Sequence, residues 1–514
     1  MEQVTETDGK SKWYSLAAIN IGNFVPPLDT GILIFLLPVI SVSLQAPVDV
    51  AIWVPLTSLL IEASFMPIFG RLGDKYGRKR TFILGLLLFS IGSFLAGNSL
   101  TIYEILIYRI LQGLGAAFIL SNGRALIADT FPPSKRGFAF GTHVTTIYIA
   151  QTLGPALAGG VITVTSVFGW RYVFYISGAI AAACILVALI FIRESPKRKN
   201  IKVDWIGALL FAIALSGGLA TITQSAASGI NSTISAYIQY IRLPIINFYI
   251  YTSTLINIPV IWLAIASIIA TSLFFLREAF SKGQVLVDKK LFTKNRVFLS
   301  ANFAAILVYI AHYGSLFLMS FYLQIIRGFP PLSTGLILMV EPLSVTVFAT
   351  IGGWLSDRTG TRDPSATGLA LTGSALLLFS LGLSLESSPI YIITLLAAIG
   401  AGVGLFAPSN TDAALSAISA ENRGVGNGIL GMMRHSGQAI SLAIGTLFIG
   451  YFIFGSQVLG GTFQPSQYLG ALQLNFLLGA ALSFIAVPIV LRGERNVIPA
   501  AQKPTKVPDP KAPV

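Results

Sequence analysis

The sequence predicts an all-α integral membrane protein that crosses the bilayer fourteen times. Of its 514 residues, 54% are hydrophobic and only 11% are charged, whereas soluble domains carry about 25% charged residues. Many apolar stretches reach the roughly 20 residues that a spanning helix needs. The formal net charge of +13 is spread over the short loops between these stretches. This distribution is typical of a membrane protein rather than of a nucleic-acid-binding surface.

The apolar stretches define the predicted helices. They lie at about 14–40, 49–69, 80–99, 103–128, 138–165, 172–192, 205–224, 258–276, 297–325, 332–355, 366–386, 388–415, 425–453 and 468–491. With both termini in the cytoplasm, 28 of the 34 Lys and Arg residues lie on the cytoplasmic side, as the positive-inside rule predicts. The sequence therefore predicts a multi-pass protein of the plasma membrane with both termini cytoplasmic.

Two pairs of similar segments indicate an internal repeat. GRLGDKYGRK at 70–79 matches GWLSDRTGTR at 353–362, and SNGRALIADTFPPSKRG at 121–137 matches SNTDAALSAISAENRG at 409–424. Two parallel repeats of about six helices explain both matches. The predicted organisation is a cytoplasmic N-terminus at 1–13, a six-helix half at 14–192, a linker at 193–296 with two extra transmembrane helices and an outer loop at 225–257, a second six-helix half at 297–491, and a disordered cytoplasmic tail at 492–514.

Four segments carry a resemblance to a known family. GRLGDKYGRKR (70–80) is similar to the loop signature of the major facilitator superfamily, and YRILQGLGAA (108–117) is similar to its fourth-helix motif. LDTGILIFLLP (28–38) and GPALAGG (154–160) resemble the first-helix and fifth-helix motifs of the fourteen-helix drug–proton antiporter group, the multidrug efflux type. The resemblance implies two pseudo-symmetric six-helix halves, two extra central helices, and secondary active transport without a cofactor.

Carboxylates inside the predicted helices are candidate proton carriers, because a charge in the bilayer costs about 2.5–3.5 kcal/mol on insertion scales. Asp29 lies near the middle of helix 1, just after Pro26 and Pro27, which are expected to kink that helix. Arg109 in helix 4 is the expected counter-charge. The resemblance implies that Asp29 and Arg109 take part in proton coupling. The alternative is a static buried ion pair that orients two helices.

Glu62 in helix 2 and Glu341 in helix 10 are further candidates, either for proton coupling or for binding a cationic substrate. Glu62 can instead join a polar network near the loop at 70–80. Three helical histidines can shuttle protons near neutral pH, but a membrane histidine is more often an interhelical hydrogen-bond donor, so they rank below Asp29. They are His143, His312 and His435.

The charged loop at 70–80 predicts a conformational latch in addition to its role in orientation. Its glycines permit a tight turn, and Asp74 can accept hydrogen bonds from a helix N-terminus or a basic residue. Such contacts can form in one conformation and break in another. The candidate latch residues are Gly70, Asp74, Gly77, Arg78 and, in the second copy, Asp357.

The GPALAGG segment combines a helix-bending proline with glycines. Pro155 bends helix 5, while Gly154, Gly159 and Gly160 let a neighbouring helix approach closely. The resemblance implies that this bend opens and seals the cavity between the halves. Ordinary close packing of small residues is the alternative.

The sequence favours a transporter over an enzyme. It contains no phosphate-binding loop or hydrolase motif, and its single cysteine, Cys184, excludes a cysteine-ligated metal site. No metal, cofactor or nucleic-acid partner is therefore predicted; the expected partners are a small-molecule substrate, protons and the lipid bilayer. The favoured function is export of amphipathic or cationic small molecules by a monomer, in exchange for protons. The alternatives are a proton- or cation-coupled symporter that imports a small nutrient, and a non-transporting sensor.

In the outer loop, alternating Tyr and Ile predict a hairpin or an interfacial segment.

Overall fold

The computed structural model describes ten stretches of the chain. They are 7–46, 48–131, 133–165, 167–194, 204–228, 233–243, 248–280, 295–418, 423–458 and 464–493. The predicted disordered tail lies outside the described residues, except for its first two positions. Helix 1 begins at Thr7, within the segment predicted as the cytoplasmic N-terminus.

Long helices account for most of the described chain. In chain order they are α1 (Thr7–Ser43), α2 (Val48–Ala51), α3 (Trp53–Tyr76), α4 (Arg78–Gly97), α5 (Ile102–Thr130), α6 (Pro133–Thr165), α7 (Trp170–Phe191), α8 (Trp205–Ser228), α9 (Val260–Phe280), α10 (Arg296–Phe321), α11 (Pro331–Leu338), α12 (Val340–Thr359), α13 (Arg362–Gly382), α14 (Pro389–Ser416), α15 (Arg423–Val458) and α16 (Pro465–Gly493). A 3-10 turn at Val167–Gly169 precedes α7, and a π-helical turn at Tyr322–Ile326 extends α10.

The same packing pattern occurs twice along the chain. In the first half, α1 packs against α6 and α7, α3 against α5, and α4 against α5 and α7. In the second half, α10 packs against α15 and α16, α12 against α14, and α13 against α14 and α16. Between the halves, α8 and α9 pack against each other, and α8 also contacts α3 and α15. The architecture agrees with the internal repeat predicted from sequence; the domain boundaries stay a prediction.

The repeated loop segment has the same backbone geometry in both copies. Gly77 ends α3 with φ +109°, and Gly360 ends α12 with φ +88°. The N–H of Gly77 donates to the carbonyl of Gly73, and that of Gly360 donates to Ser356. Only glycine adopts such positive φ angles at low energetic cost, which explains why both copies have glycine there.

The predicted number of fourteen transmembrane helices is not confirmed. Within the described residues, twelve helices are long and apolar enough to span a membrane, or thirteen if the bent α1 is one span. Helix α15 is not among these helices; its sequence includes Arg434, His435 and Gln438.

A two-stranded hairpin interrupts the helical fold, so the protein is not entirely α. Strands β1 (Thr233–Leu243) and β2 (Phe248–Pro259) pair antiparallel, with a register shift between Ile238 and Tyr240. This confirms the hairpin interpretation of the long outer connection.

Two helices depart from straight geometry near the candidate carboxylates. The sharp bend in α1 is 60° and lies between Leu33 and Phe35. This bend lies four residues before Pro38, which donates no N–H to that turn. The kink at Pro26 and Pro27 stays a prediction. The predicted helix 10 is divided into α11 and α12 at Met339, where Pro342 cannot donate to the carbonyl of Leu338.

The two halves contact each other at both ends of the bundle. We define the basic end as the end that carries residues 70–80, and the far end as the opposite one. At the far end, Ser320 and Gln324 of α10 donate to the carbonyl of Phe35 in α1, each over 3.3 Å. Towards the basic end, Arg124 of α5 donates to Asn427 of α15 over 2.8 Å. These contacts join the two halves near both ends of the bundle.

Candidate functional site

A buried ion pair joins α1 to α5. Arg109 Nη1 lies 2.5 Å from Asp29 Oδ2, and both side chains are almost completely buried. Arg109 also donates from Nε to the carbonyl of Val54 over 3.0 Å and from Nη1 to Gln112 Oε1 over 2.8 Å. A further bond reaches the hydroxyl of Ser58. The predicted counter-charge for Asp29 is thus in place, and the guanidinium has partners for all of its nitrogens.

Close helix packing brings α3 to this arginine. Gly113 lies one turn after Arg109 on α5, and a Cβ added there would stand 3.0 Å from the Cα of Ser58. The absence of a side chain at Gly113 therefore permits α3 to approach α5 closely, which positions the Ser58 hydroxyl beside Arg109. The glycine belongs to the YRILQGLGAA segment, so this motif supplies both the arginine and the close approach.

A second buried carboxylate, Glu341, lies at the start of α12 and contacts a histidine. His312 Nδ1 of α10 lies 2.9 Å from Glu341 Oε1, and both residues are buried. The outer atoms of the pair, His312 Nε2 and Glu341 Oε2, have no hydrogen-bond partner among the described residues. One proton can therefore be shared within the pair, and each partner retains a free atom for further exchange.

The third buried carboxylate connects the two halves. Glu62 of α3 belongs to the first half, and its Oε2 lies 3.4 Å from Nδ1 of His435 in α15 of the second half. Both side chains are buried. Protonation of either group changes the charge of a contact across the interface, which is the kind of local change that biases a two-state rearrangement.

Two small cavities lie between the halves. The first, of about 50 Å³, is lined from the first half by Gly31, Tyr148 and Pro155, and from the second by His312 and Glu341, among others. A second cavity of about 20 Å³ is lined by Glu62, Arg124 and His435, among others. Thr30, Gln151, Arg434 and Gln438 line both cavities. Neither cavity has room for more than water-sized groups in this conformation.

At the basic end, Arg78 connects three helices of the first half. It donates to Asp74 Oδ1 from Nε over 2.9 Å and from Nη2 over 2.6 Å. Its Nη1 donates to Asp129 Oδ1 over 2.7 Å and to the carbonyl of Ala125 over 2.9 Å. The loop that the sequence predicts as a latch is therefore held within its own half in this conformation.

The other latch candidates are placed differently. Gly70 has ample space around its Cα, whereas a Cβ at Gly77 would meet the carboxylate of Glu194 at 2.6 Å. Asp357, the candidate from the second copy, is exposed and makes no ion pair with any described residue. The latch role of all five residues stays a prediction.

The GPALAGG segment lies in the interface between the halves. A Cβ at Gly154 would stand 2.7 Å from the backbone of Ile32 in α1, within the same half. A Cβ at Gly159 would stand 2.7 Å from the carbonyl oxygen of Pro331, which belongs to α11 of the other half. The backbone of Pro155 is equally close to α11, because a Cβ at Gly335 would stand 2.4 Å from its carbonyl oxygen. The predicted close approach is present at Gly154 and Gly159 but not at Gly160, where no atom lies within 4 Å of an added Cβ.

Sequence reasoning gave no role to Arg434, which lines both cavities. Its guanidinium lies 5.2 Å from the centre of the Tyr309 ring and 5.9 Å from that of Tyr148. A cation within an otherwise apolar helix, with His435 and Gln438 close by in sequence, was the available signal. What could not be read from one sequence is that Tyr148 from the other half faces it.

A family model matches most of the chain. The model is that of the Major Facilitator Superfamily, and it matches residues 19–442 and 297–512. This range includes every buried carboxylate described above.

Several curated proteins are similar over most of their length. The riboflavin transporter RibZ of Clostridioides difficile is 28% identical, and the alignment covers 93% of this chain and 96% of RibZ. The multidrug resistance protein Stp of Mycobacterium tuberculosis is 28% identical over 85% of this chain and 75% of its own length. Multidrug resistance protein 3 of Bacillus subtilis is 26% identical over 76% of this chain and 71% of its own length.

Solved structures share the fold. A bacterial homologue of the human lysosomal transporter Spinster, in an inward-facing and unoccupied conformation, has a TM-score of 0.62 at 16% identity, covering 94% of this chain and 98% of its own. The human organic anion transporter MFSD10 has a TM-score of 0.58 at 16% identity, covering 93% of this chain and 99% of its own.

Proposed function

Because this chain belongs to the major facilitator superfamily, we propose that it exports amphipathic small molecules in exchange for protons by alternating access. It is a multi-pass membrane transporter, and its similarity to multidrug-resistance proteins confirms the resemblance to the drug-efflux group. The observation that carries the proposal is that buried carboxylates contact basic partners at and beside the interface between the halves. Such groups are costly in a membrane unless they are paired or functional.

The three carboxylates have different partners and hence different roles in the proposed cycle. Asp29 has a permanent cation beside it in Arg109, so a proton that binds to Asp29 leaves the guanidinium without its counter-charge. Glu341 has a titratable partner in His312 and lines the first cavity. In the proposed cycle, protons arriving from the far end bind these groups, the halves rearrange, and the protons leave towards the basic end.

The rearrangement is proposed to occur around α6. Its Gly154 is packed against α1 of its own half, while Gly159 and Pro155 are packed against α11 of the other half. Separation of α6 from α11 opens the far end, and separation of α5 and α15 at Arg124 and Asn427 opens the basic end. A substrate bound near the first cavity is thus exposed to one side at a time.

The placement in the membrane is also part of the proposal. We place the protein in the plasma membrane as a monomer, with both termini and the basic end in the cytoplasm. In this arrangement α1 is a single bent span and α15 is a further span, which gives the predicted total of fourteen. Polar residues in α15 are compatible with a span because they face the cavities between the halves.

Exchange measurements test the roles of the carboxylates. The purified protein is reconstituted into liposomes, and the liposomes are loaded with a fluorescent amphiphile. Two fluxes are then measured: transport driven by a pH gradient, and exchange of labelled for unlabelled compound at equal pH on both sides. We expect Asp29→Asn and Glu341→Gln to lose gradient-driven transport but to retain exchange, because exchange needs no net proton movement. Asp363→Asn, in an exposed ion pair with Arg362, is the matched control and should retain both. If both carboxylate variants retain gradient-driven transport, the proposed coupling is wrong.

A second candidate function is transport of a nutrient such as riboflavin in the same direction as protons. The observation that favours it is the similarity to the riboflavin transporter, which covers nearly the whole of both chains. The same liposomes distinguish the two functions, because a symporter accumulates the compound on the side to which protons flow.

A further inference from the structure

Arg434 differs from every other arginine near the cavities. Among the described residues it makes no ion pair and no hydrogen bond, and its Nε is completely buried without a partner. Arg109, by contrast, contacts Asp29, and Arg124 donates to Asn427. A buried cation without a direct ion pair is unfavourable in a membrane interior. Arg434 therefore has unused hydrogen-bonding capacity at a position where the halves meet.

The surroundings of Arg434 are aromatic and come from both halves. Tyr148 of α6 and Tyr309 of α10 both lie near the guanidinium, with their ring centres at 5.9 and 5.2 Å. Tyr313 lies one turn after Tyr309 and lines the same cavity, together with the amide side chain of Gln151. Tyrosine rings stack on planar ligands, and a guanidinium donates two parallel hydrogen bonds to a carboxylate or to ring carbonyl oxygens.

The carboxylates of the cavities already have basic partners. Glu341 contacts His312, and Glu62 contacts His435. A cationic ligand at this point would bring its charge next to Arg434, where like charges repel strongly because the site is shielded from water. A ligand with hydrogen-bond acceptors would instead bind the N–H groups of Arg434 that have no partner.

We propose that Arg434, with Tyr148 and Tyr309, binds planar aromatic substrates that carry a carboxylate or a ring carbonyl group. The inference deepens the proposed transport function and narrows the predicted substrate class, because it disfavours lipophilic cations. Because the first cavity is only about 50 Å³ in this conformation, the ligand enters when the halves separate. The ligand then lies between the ring of Tyr148 from the first half and Arg434 from the second half.

Binding to the full-length protein in lipid nanodiscs tests this assignment without any proton gradient. The probes are an acridine carboxylate, riboflavin and an aminoacridine cation, which are all planar and fluorescent. The wild type should bind the first two at least about tenfold more tightly than the cation. Arg434→Gln should weaken the binding of both by about tenfold or more. Arg358→Gln is the matched control, since Arg358 also stacks on an aromatic ring, that of Trp354 at 4.1 Å, but lies outside both cavities; it should bind as the wild type does.

Three results would overturn the assignment. The first is that the wild type prefers the aminoacridine or binds neither acceptor probe. The second is that Arg434→Gln binds the acridine carboxylate with an affinity within twofold of the wild type. The third is that Arg358→Gln loses as much affinity as Arg434→Gln. If Arg434→Gln aggregates, Arg434→Lys is measured instead. Lysine keeps the charge but lacks the planar pair of N–H donors, so the affinity for riboflavin should fall by severalfold. An unchanged affinity refutes the assignment. Failure of the coupling experiment with intact binding selectivity would refute antiport and leave this site standing.

Discussion

A methyl group at Gly159 is the smallest change that should shift the conformational equilibrium of this transporter. In the described conformation, the Cβ of Gly159→Ala would stand 2.7 Å from the carbonyl oxygen of Pro331, in the opposite half. Ordinary van der Waals contact begins at 3.4 Å. Both atoms belong to backbone-fixed positions, so no side-chain rotation relieves the overlap. The halves must separate at the far end.

The size of the effect follows from the cost of overpacking. Inserting a methyl group into a close-packed contact costs about 1–3 kcal/mol. The cost applies only while α6 and α11 touch, so it vanishes in a conformation that is open at the far end. The equilibrium should therefore shift towards that conformation by a factor of roughly 5 to 150, since each 1.4 kcal/mol corresponds to about tenfold.

Two glycines of the same segment serve as matched controls. Gly160→Ala adds a methyl group where no atom lies within 4 Å, so the conformational equilibrium should stay unchanged. Gly154→Ala brings its Cβ to 2.7 Å from the backbone of α1 in the same half. It should lower the thermal stability without favouring either open conformation.

Distances between spin labels measure the shift. The single cysteine is replaced by Cys184→Ser, and labels are attached through Val164→Cys on α6 and Leu336→Cys on α11, two exposed positions in opposite halves. In Gly159→Ala, the conformation with the longer distance between the two labels should be more populated than in the labelled protein that keeps Gly159. Identical distance distributions for Gly159→Ala and Gly160→Ala would refute the reasoning, as would a shift towards shorter distances.

Three further perturbations have expected outcomes that follow from single contacts. Asp29→Asn leaves Arg109 buried without its counter-charge and should lower the free energy of unfolding by about 3–5 kcal/mol. The melting temperature should recover in part in the double variant that also carries Arg109→Gln. If it does not recover, the two residues do not form a direct pair. Gly77→Ala places a side chain at φ +109° and against Glu194, and should cost about 1–2 kcal/mol by thermal unfolding. Arg78→Gln removes the contacts to two carboxylates and should increase hydrogen exchange at the start of α4; unchanged protection would show that these bonds do not hold the loop.

The sequence predicted much of the fold because its signals are local or repeated. The apolar stretches that became α4, α5 and α7 are bounded by charged or polar residues, and their ends differ from the prediction by only a few residues. The loop at 70–80 and its copy at 353–362 were recognisable because both need glycine at a positive φ angle. These features depend on residues close together in the chain.

The features that sequence reasoning missed depend on contacts between distant helices. The sharp bend of α1 close to Pro38 was not predicted from the sequence. The contact between Glu62 and His435 joins residues that no local pattern relates. Arg434 was visible as a charge in a helix, but its aromatic partners come from α6 and α10.

The direction of proton movement tests the proposed function most directly. Inside-out vesicles are acidified internally, and external pH and the fluorescence of an amphiphilic compound are recorded together. Antiport predicts that adding the compound releases protons from the vesicles while the compound accumulates inside, and that both signals disappear in Asp29→Asn. Protons and compound moving in the same direction in the wild type would contradict antiport and identify the protein as a symporter.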